Sequence, residues 1–92
     1  MNLEKLLSPL AHFKIVKFFD ENPRIIDTPE AVATFTGIST SITKNVLEQL
    51  AKAKILTVHR MPSTIGYSYT SDKTMLKKLA GILKKKAKQL SV

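Results

Sequence analysis

Drawn at about 100° per residue, the segment from Ser41 to Lys52 divides into two faces. Ser41, Lys44, Asn45, Glu48 and Lys52 fall on one side, and Val46, Leu47 and Leu50, with Thr43 between them, on the other. The polar side can read hydrogen-bonding edges. An asparagine amide pairs bidentately with adenine, and a lysine ammonium donates to the acceptors of guanine. Thr40 and Ser41 either donate to bases and phosphates or only begin the helix. Glu48 must accept from a cytosine amine, pair with Lys44 or Lys52, or lie beyond a groove. The first turns of a helix reach deepest into a major groove, so Thr40, Ser41, Lys44 and Asn45 are the candidate base readers.

Other chemistries find few residues. His12 and His59 are the only histidines, neither has a partner at metal-ligand spacing, and there is no cysteine. The three glycines are isolated, so no loop can cradle a phosphate. Asp20-Glu21 and the Asp27–Glu30 acids sit at expected helix ends, where capping and turn roles suffice. No nucleophile stands beside a base. The expectation is a non-enzyme with no metal, no cofactor and no evident small-molecule effector.

The polar face needs a scaffold, and the flanking residues supply one. Thr28-Pro29-Glu30 signals a helix start by cap, first-turn proline and favourable charge. Gly37 suits the left-handed residue that ends that helix. Ser39 or Thr40 caps the next, which runs to about Ala53. Upstream, Ser8-Pro9 opens a largely apolar helix from Leu10 that stops near Asn22-Pro23. Arg24–Asp27 is long enough for a small strand. Ile55–Met61 and Gly66–Thr70 read as strands joined by a turn over Pro62–Gly66. Ser71-Asp72 caps a last helix, from Lys73 to about Leu90.

Ninety-two residues make one domain. The formal charge is +8, and its placement is uneven. From Lys73 to Val92 there are seven lysines and no acid, whereas residues 1–72 carry eight basic and seven acidic residues. Lys84, Lys85 and Lys88, with Lys14, are candidate phosphate contacts; the C-terminal lysines can equally form a solvated face or meet an anionic membrane. Lys86 intrudes on the apolar side and can snorkel. Leu3, Leu6 and Leu7 at the N-terminus, and Leu83 and Leu90 on the last helix, are candidates for packing on a second copy. The N-terminus does not read as a secretory signal, and no apolar run approaches a bilayer's width, so a reducing cytoplasm is the expected compartment.

Helix, Gly37-Ile38-Ser39 turn, helix and hairpin, in that order, resemble the winged helix-turn-helix of ArsR- and MarR-type prokaryotic regulators. Ser8-Pro9 with His12–Phe19 is similar to their first core helix, Leu47, Leu50 and Ile55-Leu56 to their recognition helix, and Tyr67–Thr70 to their returning wing strand. The resemblance covers residues 8–72. Residues 1–7 read as an N-terminal extension and 73–92 as a lysine-rich terminal helix.

The resemblance implies a mainly α fold with a small β-hairpin wing. It also implies a homodimer on double-stranded DNA and terminal helices that dimerise. Lys52 and Arg60 join the candidate DNA contacts. His59 and Arg60 are the only polar reachers on the hairpin, whose tip is uncharged. Two alternatives stand beside DNA regulation. One is a winged helix used as a protein-interaction module in a larger assembly. The other is single-strand or RNA binding, for which only Tyr67 and Tyr69 could stack bases.

Overall fold

Short polar side chains start four of the five helices. Asn2 accepts from the Lys5 amide at 3.1 Å, Thr28 from Ala31 at 3.2 Å, Ser39 from Ile42 at 3.3 Å, and Asp72 from Thr74 and Met75 at 2.9 and 3.3 Å. Each satisfies helix amides that have no intrahelical acceptor. The computed structural model describes residues 2–90, with only the backbone of Leu90. The elements are α1 (Leu3–Leu6), α2 (Leu10–Glu21), α3 (Pro29–Thr36), α4 (Thr40–Lys52), β1 (Leu56–Met61), β2 (Thr64–Tyr69) and α5 (Lys73–Leu90).

Helix α2 is the centre of the core. Phe13, Ile15, Val16 and Phe19 are buried, and α3, α4, β2 and α5 all pack on it. Its N-cap is Pro9, which makes no side-chain cap; Ser8, expected to cap it, donates instead to the Glu4 carbonyl at 3.1 Å.

The hairpin turn is tighter than its composition suggests. Met61 pairs with Thr64, so Pro62-Ser63 alone makes the reversal and β2 begins two residues before Gly66. Gly66 lies inside the strand, opposite His59, and Ile26 leaves it no room for a side chain: a Cβ there would meet Ile26 Cγ2 at 2.9 Å. The expected strand at Arg24–Asp27 shrinks to one bridge. Asp27 and Tyr67 exchange backbone hydrogen bonds of 3.0 and 2.8 Å, which tie the entry to α3 onto β2.

Two apolar residues assigned to a dimer surface belong to the core of the chain itself. Leu7 is fully buried and Leu83 nearly so. Helix α5 packs on α1 and α2, and this contact consumes both side chains. A charge at Leu7 or Leu83 would therefore unfold the chain rather than separate two copies. Leu3 and Leu6 remain half-buried, and the side chain of Leu90 lies outside the described residues.

Tyr67 and Tyr69 are also core residues, each 6% exposed, so neither offers a ring face for stacking. Burial first, and then Asp20, pushes the Tyr69 hydroxyl well above the usual tyrosine value. That hydroxyl has no hydrogen-bond partner among the described residues.

Two positions put this packing to the test. Gly81 is exposed in mid-helix, and nothing lies within 4 Å of the place an added Cβ would occupy. Gly81→Ala should raise stability by about 0.5–1 kcal/mol in a denaturant titration; an unchanged or lower midpoint would refute the assignment. For Tyr69 the neutral phenol is the form favoured by folding, while the unfolded residue ionises near the usual value of about 10. Its contribution is thus complete below about pH 10 and is lost as pH rises toward the higher folded value. Tyr69→Phe should match or exceed the parent in stability at pH 7, because an orphaned hydroxyl is removed, and should unfold less readily in alkali. A loss of more than about 1 kcal/mol at pH 7 would show that the hydroxyl is paired.

Candidate nucleic-acid interface

The α3–α4 corner is built from local signals. Pro29 sits in the first turn of α3, and Gly37 ends that helix with φ 73°, a left-handed conformation that costs other residues energy. Its amide donates to the Ala33 carbonyl at 2.9 Å. Ile38 packs half-buried against the core, and Ser39 caps α4.

Helix α4 then divides as its sequence requires. Thr43, Val46, Leu47 and Leu50 are buried, whereas Thr40, Ser41, Lys44, Asn45, Glu48 and Lys52 are exposed. The four expected base readers therefore lie on the open side of the helix, along its first two turns. Ile42 joins this open side with 51% exposure, a position the wheel leaves between the faces.

Two contacts fix the helix axially. His12 of α2 donates from Nε2 to Gln49 Oε1 at 2.7 Å, a brace between the central helix and α4. At the far end Lys54 takes φ 66°. The Ile55 amide donates to the Leu50 carbonyl and the Lys54 amide to Ala51, both at 3.0 Å, which is the Schellman closure. Left-handed lysine gives no compositional signal, so sequence reading misses this stop. The closure delivers fully buried Ile55 and then β1 directly from α4, and so sets the hairpin beside it.

Charge on this face is mixed. Lys44 Nζ lies 3.8 Å from Glu30 Oε2 of α3, with both side chains more than half exposed, so the pair is weak and readily exchanged. Lys44 thus pairs with Glu30 and not with Glu48. Between α4 and the hairpin lies an open cleft of about 540 Å³, whose lining includes Glu30, Glu48, Met61, Ile65 and Tyr67. Burial, and next Glu48, raises the Tyr67 hydroxyl, while Arg60 lowers it, so this phenol lies between the helix and hairpin charges. Arg60 is exposed and pairs in register with Ile65. His59 does not reach outward, because its Nε2 is hydrogen-bonded to Ser68 Oγ at 2.7 Å across the strands. At the tip, Met61 and Ile65 are 46% and 36% exposed.

The remaining basic candidates lie elsewhere. Lys84, Lys85 and Lys88 are exposed on α5, which packs on α1 and α2, while α4 packs on α2, α3 and β1. Lys85 is paired with Glu4 at 3.3 Å. Lys14 lines a groove between α2 and α3. Among the described residues no group of three or more His, Cys, Asp or Glu side chains is placed to hold a metal ion, and no helix is long and apolar enough to cross a membrane.

No family model matches the chain, and no curated protein matches it in sequence. Solved structures do match its fold. A predicted DNA-binding transcriptional regulator from E. coli superposes with a TM-score of 0.69 at 18% identity over 87% of this chain and 81% of its own. The homodimeric winged helix-turn-helix DNA-binding domain Mb0332 from Mycobacterium bovis, described as a possible ArsR-family regulator, gives 0.66 at 19% identity over 85% and 68%. The chain has the winged helix-turn-helix fold. The winged helix also matches part of human N-acetylserotonin methyltransferase, with a TM-score of 0.61 and 19% identity over 75% of this chain and 20% of that enzyme. The chain thus spans from a fifth to four-fifths of these proteins' lengths, and the fold alone is what they share with it.

The corner at Gly37 sets the angle at which α4 is presented. Gly37→Ala meets no neighbouring atom, so its cost is backbone strain alone. It should lower stability by about 1–2 kcal/mol in thermal or denaturant unfolding while leaving a folded chain. A variant as stable as the parent would show that the turn does not need the left-handed residue.

Proposed function

We propose that this chain is a small transcriptional regulator that binds double-stranded DNA in a sequence-specific way, with α4 in the major groove. The observation that carries the reading is the exposed row Thr40, Ser41, Lys44 and Asn45, on the second helix of a helix-turn-helix whose opposite face is locked in the core. The regulators of the same fold support it. In this reading Asn45 and Lys44 meet base edges, Thr40 and Ser41 meet bases or the nearest phosphates, and Lys52 and Arg60 hold the backbone. Lys44 must leave Glu30 to do so, which costs little for a pair this exposed. The lysines of α5 add a field that draws the duplex in, and Lys84, Lys85 and Lys88 touch phosphate only at its margin.

The functional unit in this reading is a homodimer. Leu3 and Leu6 of α1, with Ile82 of α5, form its interface, since Leu7 and Leu83 are occupied within the chain. A homodimeric domain of the same fold supports the dimer itself.

One observation favours the second reading, a protein-interaction module. The cleft between α4 and the wing carries Glu30 and Glu48 against the single cation Lys44, and its tip is uncharged, so a DNA backbone would meet carboxylates there.

Selection of duplexes from a random pool decides between the readings. The regulator reading expects one enriched, two-fold symmetric site with half-sites about 10 bp apart. Asn45→Ala should cost about 1–3 kcal/mol on that site and relax preference at one or two positions per half-site. If the pool yields no sequence bound more tightly than random DNA at low salt, the regulator reading fails and the assembly reading takes its place.

A further inference from the structure

Phe35 is the most exposed large apolar side chain among the described residues, at 70%. It stands on α3, outside both the core and the row on α4. Its ring is not loose. It stacks on Phe18 of α2 with centroids 5.6 Å apart and planes 22° from parallel. Phe18 is in turn braced edge-on by fully buried Phe19, at 5.2 Å and 79°. One ring face of Phe35 is thus held open to solvent on a rigid aromatic support. Beside it runs a shallow groove of about 180 Å³ between α2 and α3, lined by Lys14, Lys17, Phe18, Glu21, Phe35 and Thr36. The two lysines are exposed and make no ion pair among the described residues.

A packed aromatic side chain with an open face can anchor a partner's apolar group, and cations at its rim complement carboxylates. We infer that the Phe18–Phe35 platform is a docking surface for an acidic peptide segment of a partner protein, with an aromatic or aliphatic side chain seated on Phe35 and carboxylates on Lys14 and Lys17. The rim charges choose this occupant. A second copy docked about a twofold axis would set one net-positive rim against another. A single-stranded nucleic acid would find only one stacking face, whereas for a peptide the two lysines outnumber the single carboxylate of Glu21 and leave the rim net positive. An acidic peptide with one apolar anchor satisfies both features. The proposal does not depend on the DNA reading, because only Lys14 among the candidate DNA contacts lines this groove.

The test uses a fluorescein-labelled twelve-residue peptide of aspartate and glutamate carrying one tryptophan and one leucine. Its anisotropy is followed as the full chain is added. The parent should bind it, and affinity should fall at least tenfold for Phe35→Ala and for the double variant Lys14→Glu/Lys17→Glu. The same peptide with its acids replaced by asparagine and glutamine, or its tryptophan by alanine, should also bind at least tenfold more weakly. All the altered side chains are exposed, and far-UV circular dichroism confirms that the variants fold. No binding by the parent, or binding that neither variant alters, would overturn the proposal. So would Phe35-dependent capture of oligo(dT) in place of the peptide, or self-association that Phe35→Ala abolishes.

Discussion

The buried side of α4 is the constraint on which the rest of the molecule depends. Thr43, Val46, Leu47 and Leu50 fit among α2, α3 and β1, and this contact leaves the helix no rotational freedom. A turn of 100° would bury Asn45 and expose Leu47 in one sense, or bury Lys44 and expose Val46 in the other, exchanging a favourable apolar burial of about 1.5–3 kcal/mol for an unpaired polar one. What faces outward is therefore fixed by what faces inward. The His12–Gln49 bond and the Schellman closure at Lys54 set the remaining coordinates of the helix. Because Ile55 and β1 follow that closure without a loop, the wing is positioned by the same constraint.

Charge is organised independently of this framework. The excess of seven lysines lies on α5, while the face of α4 and the wing is nearly balanced, with Glu30 and Glu48 among its cations. In the proposed regulator, the balanced face of α4 and the cationic helix α5 divide two tasks that many binding proteins combine. The lysines raise the concentration of a polyanion near the molecule in a salt-dependent manner. Discrimination in the proposed regulator comes from the hydrogen-bonding groups of Thr40, Ser41, Lys44 and Asn45, which contribute little non-specific attraction. The weak Lys44–Glu30 pair fits that division, since it holds the lysine outside a complex without a large penalty for release.

Local features of this fold were legible in the sequence. Thr28-Pro29-Glu30, Gly37, Ser39 and Asp72 act through atoms within four residues of themselves, so their roles needed no knowledge of the tertiary structure. The same holds for the faces of α4, which follow from helical period alone. Features set by distant neighbours were not legible. Leu7 and Leu83 look like free apolar positions until α1 and α5 close on α2. Tyr67 and Tyr69 look exposed on a short hairpin until α2, α3 and the Asp27 bridge pack on β2. Lys54 adopts a conformation that its type disfavours because Leu50 and Ile55 gain burial on either side. Gly66 has no room for a side chain because Ile26 crosses the strand there, a neighbour its own segment does not reveal. Phe35 is the converse case: its exposure is invisible in a run that reads as an ordinary amphipathic helix.

The central claim is that the outward face of α4 is the surface that meets DNA. It is tested most directly by recording amide and side-chain NMR spectra of the chain as a selected duplex is added. The account predicts that the largest shifts, and the intermolecular contacts, fall on Thr40, Ser41, Lys44 and Asn45, with smaller changes at Lys52 and Arg60. Perturbations confined to the lysines of α5, or to the groove between α2 and α3, with the α4 signals unmoved, would contradict it.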